Sequence, residues 1–463
     1  MFESEFMEKK QMLMIAAALI IVAGAAFGII WHFGPDGKEA GYAGVLLCYE
    51  NGDMEWVAMD IRGLTAAEAY NKACAPNAAP RTASSTAPNA APNAAPNTAS
   101  AAEENRPFLW TISKNDGDWK RNTGDLDRIY VTDFKFMAFS EKEEKPPLVT
   151  DSTGEFLFPL IGPKNRIVTL SPSITDLVIE AGAKDKIIGA DDDSAKELGG
   201  SVTMVGGFHT GPNFEKIISL KPDLVIADKN IENQVSLIAN LKASGINVLV
   251  ISKSDSIESI CGNLIAVGYA TGNIVPAQEK AGSIKTVSEK LSLLGSDPNN
   301  VAPGTQVMII MPYNYGGRYS YYIAGSEEEA AFISSILSDV GGTNVFSGTI
   351  GWQQLNNETL FTAQPDIVLV LLGMDYVSNE SKNALESDSM LRELSAVKEG
   401  RVYSFGGEAA DTMARPGPKI IHAMAMIYLV LAMDDEGWKE NAWGEFGSDY
   451  MNVLQKSLPE LFP

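Results

Sequence analysis

At 463 residues and 45% apolar content, the chain is too long for a single core and carries material for two to four domains. Its 36 Lys and Arg against 59 Asp and Glu give a formal net charge of −23, which argues against a nucleic-acid polyanion as the main partner. Cys48, Cys74 and Cys261 show no CxxC spacing and form no disulfide framework; Cys48 and Cys74 either pair or, the simpler reading, are unrelated thiols.

Met12 to Trp31 is an uncharged apolar run. As a helix its 20 residues would extend about 30 Å, enough to cross a bilayer core. It is longer than a signal-peptide core, and the following GPDGKEAGYAG has no clear A-x-A cleavage site, so an uncleaved anchor is expected. Lys9 and Lys10 keep residues 1–11 cytoplasmic and place the bulk of the chain outside the cell membrane. GVLLC carries Leu47 where a lipobox needs a small residue.

Residues 40–145 read as a small α+β module: strand VLLCYE, an Asn51-Gly52 hairpin turn, strand MEWVAMDI, helix TAAEAYNKAC, then strand-like FLWTISKNDGDW and RIYVTDFKFMAF. Residues 75–102 interrupt it with repeated A-P-N-A, a composition that cannot bury enough apolar surface to fold. EKEEKPP, residues 141–147, reads as a solvated boundary.

From Arg166 strands alternate with helices, which implies a mainly parallel sheet. Residues 160–275 form a first lobe, with strands Ile167–Leu170, Ile187–Ala190, Leu224–Ala227 and Val248–Ile251 and a helix Ile174–Ala181 that Ser171 or Ser173 caps. Within it, NFEKIISLKPDLVIA is echoed far downstream by NETLFTAQPDIVLV: a glutamate opening a short helix, a Pro-Asp pair, then a β-branched strand. Pro365 lies 143 positions after Pro222 (365 − 222), too far for a solenoid repeat and suited to two related lobes. Between the echoes, residues 276–294 form one helix with Ile284, Val287, Leu291 and Leu294 on an apolar face, long enough to brace the lobes. The second lobe, 305–433, has strand Gln306–Met311, an aromatic loop, helix Ala330–Val340, strands Ile367–Leu372 and Arg401–Ser404, and a closing helix Pro416–Met433; 434–463 is a tail.

No G-x-S-x-G, Walker, dinucleotide or HExxH motif is present, so no catalytic group is expected. His32, His209 and His422 do not make a metal cluster, and Asp191-Asp192-Asp193 reads as a solvated acidic loop rather than a cation site. The aromatic residues are more informative. Tyr313, Tyr315, Tyr319, Tyr321 and Tyr322 surround Arg318 just after a strand, where ligands of open α/β sheets bind. Trp352 sits beside a Gly-rich turn, and Phe208 and His209 precede the first echo. These residues either line a site for a large, partly aromatic ligand or pack their loops onto the lobes. Arg318 and Arg415 are candidate clamps for carboxylates or phosphates.

RIVTLSPSITDLVIEAGAKDKIIGADDD, VGGFHTGPNFEKIISLKPDLVIA, the long helix, the NNETLFTAQPDIVLV echo and RPGPKIIHAMAMIYLVLA together resemble the class III substrate-binding proteins of ABC importers for cobalamin, ferric siderophores and haem. The match spans roughly residues 164–433 and implies two Rossmann-like α/β lobes joined by a long bridging helix, here preceded by a transmembrane helix and the small α+β module. It implies no enzymatic step and no resident cofactor. It places Pro172, Phe208, His209, Tyr313, Arg318, Trp352 and Arg415 at the interlobe cleft, and Tyr315 and Tyr319 of the tyrosine cluster are expected to bind ligand with them. Glu215 and Glu358 match the acidic residues that family members present to arginines of the permease, with helix N-terminal capping or dipole complementarity as the alternative role. The implied partners are an ABC permease dimer with its ATPase and a metal-chelate ligand: a corrinoid first, a ferric siderophore second, haem third. The module loosely resembles β-grasp-like modules found beside some archaeal binding proteins and at the C-terminus of transcobalamin, and the permanent anchor fits an archaeal cell. The rival readings are a chelatase-like enzyme and a surface sensor that never docks a permease.

Overall fold

The computed structural model of the chain describes residues 44–49, 54–58, 64–74, 107–113, 118–129, 134–146, 150–154, 157, 160–161, 164–207, 210–251, 254–316, 318–327, 330–372 and 380–463. The expected anchor 12–31 and insertion 75–102 lie outside them, and among the described residues no helix is long and apolar enough to cross a membrane. The chain divides into two compact units, 1–163 and 164–463.

The first unit is built on β1 (Gly44–Cys48), β2 (Met54–Ala58), α1 (Ala66–Cys74), β3 (Phe108–Ser113), β4 (Lys120–Asn122) and β5 (Phe134–Ser140). The sheet order is β2-β1-β5-β3-β4, with β1 parallel to β5 and the other pairings antiparallel. One apolar face, including Val45, Leu47, Leu109, Met137 and Phe139, packs on Ala66, Ala69 and Ala73 of α1. The last strand, β5, is thus the central one, flanked by β1 and β3, and α1 covers one face of the mixed sheet. Cys48, Cys74 and Cys261 form no disulfide; burial pushes the Cys48 pKa up to about 12.

The second unit opens with an all-parallel sheet of order β10-β9-β6-β7-β8, formed by β6 (Ile167–Thr169), β7 (Ile187–Ala190), β8 (Thr203–Met204), β9 (Leu224–Asp228) and β10 (Val248–Ile251). Between them run α2 (Pro172–Glu180), α3 (Asp192–Leu198), α4 (Phe214–Ser219) and α5 (Glu232–Ala243). The strand order reverses beside β6, so the crevice of this lobe opens where β6 and β9 end. Buried Gln234 ties those two ends together, donating to Leu170 O at 2.9 Å while its amide oxygen accepts from Asp228 N at 2.9 Å.

Then come α6 (Ile257–Thr271) and α7 (Ile274–Ser296). Helix α7 extends the expected brace by a residue pair at each end. Seven of its eight buried residues, Ile274, Ala277, Ala281, Ile284, Ser288, Leu291 and Gly295, alternate spacings of three and four, with Val287 beside them, a seam that meets α2 and α6 on one side and α8 and α13 of the next lobe on the other. Small residues set the depth of that seam. A Cβ at Gly268 would overlap Ala277, and one at Gly295 would overlap the Val340 backbone.

The second lobe contains β11 (Gln306–Tyr315), β12 (Arg318–Ala324), α8 (Ala331–Asp339), β13 (Thr343–Asn344), β14 (Trp352–Leu355), α9 (Asn357–Thr362), β15 (Ile367–Leu371), α10 (Glu380–Ser387), α11 (Ser395–Lys398), β16 (Val402–Phe405), α12 (Glu408–Ala414), α13 (Ile420–Leu431), α14 (Asp435–Glu440), β17 (Gly444–Phe446) and α15 (Tyr450–Ser457). Its sheet runs β14-β12-β11-β15-β16-β17, with β13 beside β11. Two expectations change here. The aromatic loop is an antiparallel hairpin, because alternating Tyr side chains on both arms find cross-strand partners. The tail is folded into the lobe: β17 adds a parallel edge strand to β16, and Phe446 stacks on Phe405 at 5.7 Å.

The sequence echo is a structural one. Asn213 caps α4 by accepting from Lys216 N at 3.0 Å, and Asn356 caps α9 by accepting from Thr359 N at 2.9 Å. Lys221 (φ 47°) and Gln364 (φ 43°) turn each helix left-handed into its Pro-Asp pair. Asp223 then accepts from Asn165 N and Arg166 N at the head of β6, and Asp366 from Gln306 N at the head of β11. Gly295→Ala is expected to lower the stability of the C-terminal unit by about 1–3 kcal/mol, since the added methyl meets backbone rather than a side chain that can rotate away. Urea denaturation followed by far-UV circular dichroism checks it.

Candidate functional site

A cavity of about 370 Å³ opens between the lobes of the second unit. The first lobe supplies Asp176, one turn into α2, and Glu197, near the end of α3; the second supplies Gly407, Glu408, Asp411, Thr412, Arg415, Gly417 and Lys419, from just after β16, along α12 and on to the start of α13. The cavity thus sits beyond the carboxyl ends of strands in both sheets, where α/β crevices take ligands.

Its walls are charged, and the charges are organised. Arg415 donates to Glu197 Oε1 at 3.1 Å across the cleft and lies 3.3 Å from Asp411 Oδ2 on its own helix. Lys419 meets Glu408 Oε1 at 3.2 Å. Asp176 makes no ion pair or side-chain hydrogen bond among the described residues. Burial pushes its pKa up to about 6, with Lys419 and Arg415 only partly offsetting that effect. Burial raises the Asp411 pKa as well. On Arg415 and Lys419 burial opposes the charge, but the neighbouring carboxylates overcome it and both pKa values rise.

Behind this wall, Thr412 bonds Tyr450 OH at 3.3 Å, and that hydroxyl reaches His422 Nδ1 at 3.1 Å. Phe462 covers the His422 ring edge-on at 5.5 Å. Burial, reinforced by Lys280 and Lys419, depresses the His422 pKa to about 4, so the imidazole is neutral and serves as a spacer between α13 and α15. The last residues of the chain therefore buttress the helix that lines the cavity.

The sequence-predicted residues distribute unevenly. Pro172 is half-buried as the first residue of α2, and Ser171 occupies the N-cap position without capping, bonding Ser173 Oγ at 3.2 Å instead. Arg415 lines the cavity, and its two terminal nitrogens already meet carboxylates, Nη1 that of Glu197 and Nη2 that of Asp411, so it is not a free anion clamp. Phe208 and His209 lie outside the described residues.

In the hairpin, strand pairing places Tyr313, Arg318, Tyr322 and Trp352 on one face of the sheet. Tyr313 is 42% exposed and packs edge-on to Tyr322 at 5.2 Å, while Arg318 is exposed without an ion pair among the described residues. Tyr315 is paired with Arg318 in register. Tyr319 belongs to the opposite face, packed against the lobe core beside Tyr321, which is 1% exposed and donates to Ala384 O at 2.8 Å. Alternation along the strand separates Tyr319 from the other candidates.

Glu215 and Glu358 occupy matching positions in the first turns of α4 and α9, both exposed. The caps are Asn213 and Asn356, so the glutamates are not needed for capping. The acidic run is neither a cation site nor a solvated loop: Asp191 is buried and caps α3, Asp192 accepts from Gly206 N at 3.2 Å, and Asp193 pairs with Lys196 at 3.1 Å. Sequence reading missed Asp176, Glu197, Glu408, Asp411 and Lys419. The Gly406-Gly407 pair after a strand, followed by Asp411 and Arg415 at helical i,i+4 spacing, was the available signal.

Residues 167–409 match the family model described as periplasmic binding protein. The chain belongs to this family. The resemblance to class III periplasmic substrate-binding proteins of ABC importers is thereby borne out, and with it two α/β lobes and a binding rather than enzymatic role. The chain is 26% identical over 304 residues, 63% of its length and 88% of the other's, to an uncharacterized ABC transporter substrate-binding lipoprotein, YvrC, of Bacillus subtilis. It is 24% identical over 265 residues, 56% of its length and 67% of the other's, to a cobalamin-binding protein of Halobacterium salinarum. Among solved structures it is similar to the periplasmic vitamin B12 binding protein BtuF of Vibrio cholerae, with 22% identity, a TM-score of 0.48, and coverage of 58% of this chain and 97% of that one.

Asp176→Asn is expected to stabilise the protein by about 1–2 kcal/mol near pH 7.5 and to have no measurable effect near pH 4. A carboxyl whose folded pKa lies above its unfolded value contributes stability below the unfolded pKa and loses it as pH rises through about 6. Urea denaturation of both proteins at the two pH values checks the sign.

Proposed function

We propose that the chain is an extracytoplasmic receptor, tethered by the 12–31 segment, that captures a corrinoid between its lobes and delivers it to an ABC permease. The cavity formed jointly by both lobes of a periplasmic binding protein carries this reading. A relative named as cobalamin-binding supports the corrinoid, and one named as a lipoprotein supports a tethered, extracytoplasmic location.

In this reading the exposed Tyr313 and its partner Tyr322, together with Trp352 and Arg318, meet the flat face of the ligand, and Pro172, Phe208 and His209 approach it from the first lobe. Tyr315 shares the hairpin tip and Tyr319 supports it from the core side. Glu215 and Glu358, exposed on matching helices of the two lobes, are suited to reading the symmetry of a dimeric permease.

Titration of the purified chain with cyanocobalamin, a ferric siderophore and haemin, followed by tryptophan emission, is expected to show micromolar or tighter binding of cyanocobalamin. If none of the three binds, the metal-chelate reading fails. A Glu215→Ala/Glu358→Ala double variant is expected to bind cyanocobalamin within about twofold of the unaltered chain while supporting little corrinoid uptake in cells. Undiminished uptake would remove the docking role.

A further inference from the structure

The cavity holds four carboxylates, Asp176, Glu197, Glu408 and Asp411, against two cations, Arg415 and Lys419. Both cations are already committed, Arg415 to Glu197 and Asp411, Lys419 to Glu408. A carboxylate on an incoming ligand faces two unfavourable choices. It can displace Glu197 or Asp411 from Arg415, breaking an ion pair that already offsets the guanidinium charge, or it can sit against a wall with an acidic excess. An uncharged carboxamide faces neither, since its N–H groups can donate to Asp176 or Asp411 and its oxygen can accept from Lys419, with every existing ion pair intact.

We infer that this end of the cleft selects chelates whose rim carries carboxamides over those whose rim carries carboxylates, and that Glu197 sets the selection by holding Arg415 neutralised across the cleft. The inference rests on the corrinoid reading of the interlobe cavity and adds a rule to it. A corrinoid with primary amides around its ring satisfies the rule; haem with two propionates, or a carboxylate siderophore, does not. Glu197 is a positioning residue here, acting through the guanidinium rather than through contact with the ligand.

The test compares cyanocobalamin with each of its three monocarboxylic acids, in which one peripheral propionamide is hydrolysed, by titration of the full chain near neutral pH. At least one isomer is expected to bind about tenfold more weakly than cyanocobalamin, a difference of about 1.4 kcal/mol. In Glu197→Gln that ratio is expected to fall to about threefold or less through a gain by the acid. Glu197→Asp, which keeps the charge, is expected to retain most of the discrimination. Equal affinities for all isomers, or a ratio unchanged in Glu197→Gln, overturns the inference alone. Failure of cyanocobalamin itself to bind overturns the corrinoid reading and the inference together.

Discussion

The close approach of helix α7 to both lobes is the constraint on which the second unit depends. Its buried stripe carries small residues where backbones must nearly touch: Ala277 against Gly268 on the first-lobe side, Gly295 against Val340 on the other. Larger side chains between them, Ile284 and Leu291, are fully buried and contribute about 1.5–3 kcal/mol each. A helix held this way at both ends fixes the distance between the two sheets. The cavity beyond their carboxyl ends therefore inherits its dimensions from apolar packing remote from it.

Given that spacing, side-chain charge decides what the cavity can hold. The contact from Arg415 to Glu197 joins the lobes directly, so ligand recognition and lobe spacing share one guanidinium. Behind it, Thr412, Tyr450 and His422 pin α12 to the C-terminal helix, and the neutral imidazole adds no charge to a wall already rich in carboxylates. The stretch 434–463, which the sequence marks only as a tail, is part of the scaffold of the site.

Much of the fold was legible because it depends on short-range rules. The Pro-Asp echo marked two lobes, and the structure explains its form: each aspartate ties the head of a neighbouring strand, and each preceding residue accepts a left-handed turn. The brace helix was visible in the spacing of Ile284, Val287 and Leu291. The hairpin was less legible, because clustered tyrosines around Gly316-Gly317 resemble a binding loop until strand register sorts them onto two faces, Tyr313 on one and Tyr319 on the other. The charged cavity was least legible of all. Asp176 and Glu197 lie more than 200 positions from the residues they face, as the separation of 218 between Arg415 and Glu197 shows.

The sequence by itself determined the two α/β lobes, the helix between them and the matched exposed glutamates, since periodicity, caps and turn residues act within a few positions of one another. Only the tertiary structure decided that Arg415 is neutralised, that Tyr319 packs against the core and that the C-terminal residues support the site. Those outcomes depend on which distant side chains the packing of α7 brings within ion-pair distance, and Coulomb energy at such distances is set by position and burial, which no local pattern encodes.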